Sequence, residues 1–468
     1  MRRGPVWVLM VASVASLMVA LDALVVTTAL PTIRLHLGAS IEELEWTVNA
    51  YTLSFAVLLL TGAALGDRFG RRRLFTAGLA IFSSASAACA LAPNVGFLIA
   101  ARAVQGAGAA LVMPLGMTLL SAAYAPEQRA RALGIFSGIT GLAVLAGPVI
   151  GGAITQGIAW QWIFWINVPI GLLTIPVALR RIDESYGPRA AADIPGLALV
   201  SGAALGLVWA LVRGNSAGWG SLEVIAALVV GALLAVAFVL WERRAAEPML
   251  PMGLFGSRPF SASNGAIFFL AAALYGAVFF MAQFLQTVQH HGPLDAGIRL
   301  LPWTATLFVV APITGGRISR VGERPFAVAG LLLQAAGMGW IALLAGPDVA
   351  YWRLVAPLVI AGCGVSMAMP ALQNAVVSSV APASIGKASG AFNMMRQLGG
   401  VFGVAILVAV FSGDGGYGSA QLFSTGFTAA LGAAAALSLL GAAAGFGLPG
   451  RVPEVASLAA PSASEIAA

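Results

Sequence analysis

The chain has 468 residues, of which 59% are hydrophobic and only 9% charged, with 56 glycines and a formal net charge of +7. A soluble domain carries about a quarter charged residues, so a water-borne globule is excluded. The arginines fall in short clusters between apolar runs, which fits the positive-inside rule and excludes a basic nucleic-acid-binding face.

Apolar stretches long enough to cross a bilayer are predicted near residues 6–30, 46–65, 74–92, 96–120, 132–155, 162–179, 194–212, 222–241, 260–285, 297–314, 326–345, 353–376, 388–411 and 423–446. We number them spans 1 to 14. The first follows Met-Arg-Arg but is too long for a signal-peptide core, and no small-x-small site follows it, so it reads as a true span. Its single charge, Asp22, stands in an otherwise apolar run at a cost of about 3 kcal/mol on insertion scales. An even number of spans leaves both termini on one side. One alternating set of loops, termini included, holds nineteen basic residues: Arg2, Arg3, Arg68, Arg71, Arg72, Arg73, Arg129, Arg131, Arg180, Arg181, Arg189, Arg243, Arg244, Arg258, Arg317, Arg320, Arg324, Lys387 and Arg451. The other set holds four, Arg34, Arg213, Arg299 and Arg353, while Arg102 and Arg396 fall within spans. The positive-inside rule therefore places both termini in the cytoplasm and the histidines, His36, His290 and His291, in outward loops. Cys89 and Cys363 fall within spans and imply no disulfide framework.

Between spans 2 and 3 runs GAALGDRFGRRRL, residues 62–74. Gly70 permits a tight turn, Asp67 suits a helix start, and Arg68, Arg71 and Arg72 stay on the anionic-lipid side. Topology alone accounts for the arginines; the Asp-Arg-x-Gly spacing adds the reading of a conformational latch. Span 4 carries Arg102 in IAARAVQGAGAALVMP, with Gln105, Ala109 and Met113 on the same face. Arg102 either snorkels outward or pairs with Asp22. The two lie eight and six residues from the predicted outer ends of their spans, depths of roughly 12 and 9 Å, so a direct or water-bridged pair is geometrically allowed. Burial favours the neutral acid and a nearby guanidinium favours the carboxylate, so a changed separation would load or unload a proton.

Span 5 contains GITGLAVLAGPVIGG, residues 138–152. Gly147 and Gly151 share a face and allow close helix approach, and Pro148 removes a backbone hydrogen bond. This suits either small-residue packing or a pliable helix at a moving interface. Arg396 in span 13 bonds across the bundle, contacts an anionic substrate, or reaches the inner headgroups. Gln105, Met113, Gln286, Trp303, Gln373, Asn393 and Arg396 form the expected substrate-contacting set, with Gln283 and Asn374 as further polar groups; each alone is explained more simply as interhelical glue. The chain shows no phosphate-binding GxxxxGK[ST] run, no HExxH, CxxC or histidine cluster for a metal, and no repeated filter-like loop, so neither cofactor, metal nor enzyme chemistry is expected.

The chain also repeats itself. At an offset of 256, Gly106, Gly108, Met113, Pro114, Ala125, Pro126, Ala132 and Gly134 meet Gly362, Gly364, Met369, Pro370, Ala381, Pro382, Ala388 and Gly390. A fainter echo at offset 252 pairs DRFGRRR (67–73) with SRVGERP (319–325). Spans 1–6 thus correspond to spans 9–14, with spans 7 and 8 inserted, an arrangement typical of transporters. Arg102 meets Leu358 and Pro148 meets Val404, so the coupling chemistry is expected in the first half. The expected fold is an all-α integral membrane protein of fourteen transmembrane helices, two pseudo-symmetric six-helix bundles (1–180 and 259–449) plus inserted helices 7 and 8 (181–258) and a disordered cytoplasmic tail (450–468).

With LDALVVTTALP (21–31), GDRFGRRR (66–73), RAVQGAGAALVMP (102–114), GITGLAVLAGPVIGG (138–152), WQWIFWINVPIG (160–171) and GKASGAFNMMRQLGGVFGVA (386–405), the sequence resembles the fourteen-helix drug:H+ antiporter branch of the major facilitator superfamily from span 1 to span 14. The proline-containing motif of span 5, with Gly138, Gly147, Pro148, Gly151 and Gly152 at the family spacing, is the most discriminating. The resemblance implies proton coupling at Asp22 and Arg102 and an inner gating loop at Asp67, Arg68, Gly70, Arg71 and Arg72, where the usual leading glycine is displaced to Gly62. It implies a proton-coupled antiporter exporting a hydrophobic or amphipathic small molecule, a drug, antibiotic or antiseptic, by alternating access. Its expected partners are substrate, protons and the lipid of a cell (inner/plasma) membrane, with no nucleic acid, and it is expected to act as a monomer. An importer or facilitator of a small metabolite and a non-transporting membrane sensor are the alternatives.

Overall fold

A computed structural model describes residues 4–187, 193–381 and 384–450. Arg2, Arg3, Arg189, Pro382, Arg451 and the proposed tail beyond Gly450 lie outside the described residues. Among those described, regular structure is helical throughout: α1 (Pro5–Leu37), α2 (Ile41–Phe69), α3 (Arg71–Ala90), α4 (Val95–Ala123), α5 (Pro126–Gly157), α6 (Trp162–Trp165), α7 (Asn167–Arg181), α8 (Ile194–Ala217), α9 (Leu222–Glu242), α10 (Arg258–Thr287), α11 (Pro293–Arg299), α12 (Leu301–Thr304), α13 (Thr306–Val321), α14 (Glu323–Leu344), α15 (Tyr351–Ser378), α16 (Ile385–Asp414) and α17 (Ala420–Gly445), with one 3₁₀ turn at Met252–Gly256. Together they supply fourteen segments long and apolar enough to cross a membrane, α6 with α7 and α11 to α13 each forming one broken span. Helices are the form such a chain must take, because lipid offers no partner for backbone N–H and C=O groups.

The helix starts are capped locally. Ser40 and Glu43 form a reciprocal capping box on α2, and the side chains of Asn94, Asp193, Ser221 and Ser419 accept from N3 amides of α4, α8, α9 and α17, each cap contributing about 1 kcal/mol.

The internal repeat is a repeat of contacts as well as of letters. Gly108 of α4 presses against the backbone of Gly78 and Phe82 on α3, and Gly364 of α15 presses in the same way against Gly330 and Gln334 on α14. Gly106 meets Tyr51 and Ser54 of α2, while Gly362 meets Trp303 of α12 and Thr306 at the start of α13. Even the turns agree: Gly70 and Gly322, 252 residues apart, have φ of +110° and +92°, a region that disfavours any side chain. The molecule is therefore two pseudo-symmetric six-helix bundles. The inserted pair, α8 and α9, pack through Gly206 and Gly231. The pair leans on both bundles: Arg213 on α8 reaches Glu42 of α2 at 3.2 Å, and Asn215 donates to the Ala409 carbonyl of α16 at 2.5 Å.

One seam between the bundles is wedge-shaped. Near its arginine-poor end, Gly152 and Gln156 of α5 meet Pro293 and Leu294 of α11, and Gly297 of α11 meets the Pro148 carbonyl. Toward the arginine-rich end, Gly138 and Gly141 on α5 and Gly315 and Gly316 on α13 would present an added Cβ to open space. The bundles thus touch at one end of this seam and part at the other.

Several helices outrun their predicted spans. α1 continues through Pro31 to Leu37, which places Arg34 and His36 on its last turn rather than in a loop. Arg34 lies over the Tyr417 ring at 4.0 Å, and His36 packs on Trp160. Asp22 is consequently fifteen residues from the helix end, not eight. α2 begins at Ile41, five residues before the prediction, and so takes Glu45 into the buried part of the bundle. The span predicted from residue 46 thus left a buried acid just outside its window, and Asp22 is not the one acid buried within a spanning helix.

Candidate functional site

Asp22, on α1, is 1% exposed, and so is Arg102, on α4. Arg102 Nη1 donates to Asp22 Oδ2 at 2.5 Å and to Gln105 Oε1 at 2.7 Å, while its Nε donates to the Thr47 carbonyl at 3.2 Å. The guanidinium lies against the Tyr51 ring, 4.1 Å from its centroid, and Tyr51 in turn donates its hydroxyl to the Val19 carbonyl. Burial of this kind excludes the snorkelling alternative for Arg102. A planar, five-donor group suits a site where one cation must satisfy three acceptors from different helices.

The other carboxylate oxygen, Asp22 Oδ1, accepts from Gln105 Nε2 and from Asn167 Nδ2, both at 2.8 Å. Ser86 Oγ accepts from the same two amides at 2.6 and 3.2 Å, and Cys89 Sγ–H points to Gln105 Oε1 at 3.7 Å. Five helices of the first bundle, α1, α2, α3, α4 and α7, therefore meet at one acid. Leaving one buried member of such an ion pair without its partner costs about 3–5 kcal/mol, so a change at Asp22 is felt on all five. Asn167, Ser86, Thr47 and Tyr51 escaped the sequence reading. Asn167 stood inside the quoted WQWIFWINVPIG run, where an amide among apolar residues was the available signal.

Gln105 leaves the substrate-contacting set, since the network uses its amide oxygen and nitrogen and it has no exposure. Gln286 is turned to the carbonyls of Thr28 and Ala282. Trp303 is buried, and it occupies in the second bundle the place that Tyr51 holds in the first. Met113, Asn393 and Arg396 are partly exposed and Gln373 is exposed. Arg396 donates to Asn393 one turn away at 3.2 Å, and among the described residues its Nε has no partner. Gln283 accepts from the Tyr417 hydroxyl, and Asn374 donates to Glu323 at 2.8 Å.

The glycine-proline stretch of α5 links Asp22's helix to the other bundle. Gly147 faces Leu24 and Gly151 faces Val25 and Thr28, so α5 lies tight against α1 immediately beyond Asp22. From its other side Gly152 and the Pro148 carbonyl meet α11. A side chain added at Gly138, equally part of the motif, would meet nothing among the described residues.

At the arginine-rich end, Asp67 does not start a helix. It lies in the last turn of α2 and pairs with Arg71 at 2.7 Å. The cap on α3 is Glu184, from the segment after α7: its carboxylate accepts from the amides of Arg72 at 2.8 Å and Arg73 at 3.3 Å. The Arg71 amide donates to the Ser185 carbonyl and the Gly187 amide to that of Asp67. Arg72 Nη1 reaches the Ile182 carbonyl at 3.0 Å, while Arg68 stacks on neighbouring Phe69. Residues 182–187 thus form a strap across the turn at Gly70, and Glu184 is the residue the sequence reading lacked. An anion at the first N–H groups of a helix is stabilised by both hydrogen bonds and the helix dipole.

Residues 12–404 match the family model described as Major Facilitator Superfamily. The tetracenomycin C resistance and export protein of Streptomyces glaucescens is 36% identical over 86% of this chain and 76% of its own length. A multidrug resistance protein, Stp, of Mycobacterium tuberculosis is 32% identical over 88% of this chain and 77% of its own. The crystal structure of a peptide transporter, POT, in complex with sulfate superposes with a TM-score of 0.68 over 94% of this chain and 95% of that one, at 16% identity, a likeness of fold alone. This chain belongs to the Major Facilitator Superfamily, whose fold its two six-helix bundles share.

Proposed function

We propose that the protein is a proton-coupled antiporter that exports a hydrophobic or amphipathic small molecule by alternating access. The export reading draws on relatives named for resistance and export. The coupling reading is carried by one observation: a fully buried acid, paired with an arginine of α4, stands on the helix against which α5 packs between it and the other bundle. In this scheme a proton arriving at Asp22 neutralises the carboxylate and releases Arg102 from its strongest partner. α1 then shifts against Gly147 and Gly151, and α5 carries the shift to α11 and the inter-bundle seam. Met113, Gln373, Asn393 and Arg396 remain the side chains assigned to substrate contact. The strap held by Glu184 on Arg72 and Arg73, together with Asp67, Arg68, Gly70 and Arg71, steadies the cytoplasmic end.

The same proposal assigns the protein to the cell (inner/plasma) membrane with both termini cytoplasmic, acting as a monomer without cofactor or enzymatic chemistry, and divides it at 1–180, 181–258 and 259–449. The test is export of a fluorescent amphipathic dye and of antibiotics in everted vesicles energised by a pH gradient. Asp22→Asn is expected to abolish gradient-driven movement while the protein remains folded. Retained coupling in that variant would remove Asp22 from the mechanism, and substrate accumulation by intact cells would replace export with import.

A further inference from the structure

Glu45 lies in the second turn of α2 with no exposed surface. Among the described residues it accepts one hydrogen bond, from Asn49 Nδ2 at 3.1 Å, and its Oε2 has no partner. Its position follows from the register of α2 against α16. Residues 45, 49, 53, 56 and 60 form one stripe at helical spacing, and Leu60 meets Gly390 of α16. The two helices are antiparallel, so Glu45, fifteen residues above Leu60, stands level with Ala405, fifteen above Gly390. The links at the other end agree, since Arg213 binds Glu42 while Asn215, two residues on, binds Ala409. Opposite Glu45 is therefore the apolar wall of Val401, Ala405 and Val408, all buried, on the second bundle.

The charged and titratable groups on the elements packed around Glu45 are engaged elsewhere. Arg102 on α4 holds Asp22 and the Thr47 carbonyl, on the opposite face of α2. Arg213 on α8 holds Glu42 and Glu223, and Arg34 on α1 lies on Tyr417. His36 packs on Trp160, and Cys89 on α3 points to Gln105. On α16, Asp414 lies nine residues beyond the Ala405 level, about 13 Å away along the helix, and Lys387 and Arg396 lie toward the other end. On α2 itself the nearest charge is Glu42, which is of like sign. Burying a carboxylate without a cation is costly, so a closed interface between α2 and α16 accepts Glu45 as the neutral acid.

We propose that Glu45 is a second proton-binding carboxyl of the transport cycle, taking a proton from the arginine-poor side before the two bundles close over it and returning it to solvent when they part. The step is a simple protonation of a carboxylate to a carboxylic acid, with the proton drawn from the aqueous phase. It deepens the antiport reading by adding a proton-linked condition on closure, and rests on that reading for the cycle of closing and parting itself.

The test reads closure directly, without a substrate. Spin labels at Leu35→Cys and Leu422→Cys, both exposed and on different bundles near the closing end, report their separation by double electron–electron resonance in lipid nanodiscs. All variants carry Asp22→Asn, so that Asp22 contributes no titration. With Glu45 present, the open-to-closed ratio is expected to rise up to about tenfold per pH unit on the alkaline side of its titration. Glu45→Gln should hold the short distance at every pH, and Glu45→Asp should restore pH dependence. Glu45→Met predicts the same locked state as glutamine and replaces it should that variant not fold. A pH-independent distance with Glu45 intact, or an unchanged pH profile in the glutamine or methionine variant, would overturn the inference. Neither result touches the Asp22 assignment, which stands or falls on vesicle transport.

Discussion

Two glycines of the same α5 motif should respond oppositely to the same small substitution. At Gly151 an added Cβ would sit 2.5 Å from Thr28 Oγ1, 2.6 Å from the Val25 carbonyl oxygen and 2.8 Å from Val25 Cα. Two of these are backbone atoms of a long helix, so relief requires α1 and α5 to separate. Reaching ordinary contact from 2.6 Å needs about 0.8 Å of movement, and overpacking of this kind costs about 1–3 kcal/mol. Thr28 is six residues from Asp22 on the same helix, roughly 9 Å along the axis. If α1 moves as a body, the 2.8 Å bonds from Gln105 and Asn167 to Asp22 stretch beyond the ordinary hydrogen-bond range. Losing one bond to a charged group removes about 1.5–3 kcal/mol, equivalent to about ten- to a hundredfold in rate. Gly138→Ala meets open space and should gain about 0.5–1 kcal/mol of helix stability instead. Initial rates of gradient-driven dye efflux, paired with thermal melting in detergent, measure both. We expect Gly151→Ala to lose at least about tenfold in efflux and Gly138→Ala to match wild type. Wild-type efflux in Gly151→Ala, or equal damage from Gly138→Ala, would refute the claim that α5 transmits through its contact with α1.

The other expectations are simpler. Arg102→Lys keeps the charge but cannot reach Asp22, Gln105 and the Thr47 carbonyl together or lie flat on Tyr51; efflux should fall nearly as far as in Asp22→Asn, and retention of most activity would reduce Arg102 to a point charge. Glu184→Ala frees two amides at the start of α3 and should lower stability by about 0.5–2 kcal/mol. Glu184→Gln should recover part of that, and an unchanged melting profile for both would show that the strap does not bear on the fold. Outside the spans, desolvation and then the nearby Arg299 push the His291 imidazole below its usual range, outweighing the attraction of Asp295 at 2.8 Å. A base with a lowered folded-state value keeps its full stabilising contribution above the ordinary histidine range and loses it as the pH falls from there toward the folded value. Melting temperatures of wild type should therefore decline more between about pH 7 and pH 5 than those of His291→Asn, and parallel curves would contradict this.

Composition, hydropathy and the internal repeat determined most of the architecture. Spanning helices are forced by lipid on any long apolar run, and glycine-for-glycine matches fix which helices correspond because only a missing side chain lets two backbones touch. The pairing of Asp22 with Arg102 was legible as a matter of depth, since an intramembrane charge needs an opposite one nearby. Tertiary structure alone decided what the depth argument could not reach. Asn167 bonds the acid and Ser86 holds the two amides that do so, both from helices distant in the chain, Gln105 is consumed by that network, and Glu184 rather than Asp67 caps α3. Glu45 shows the physical reason. In the sequence it lies one residue outside the predicted span 46–65, close to Glu42 and Glu43. Only the packing of α2 against α16 removes it from water, because burial is a property of the neighbours an element acquires and not of its own composition.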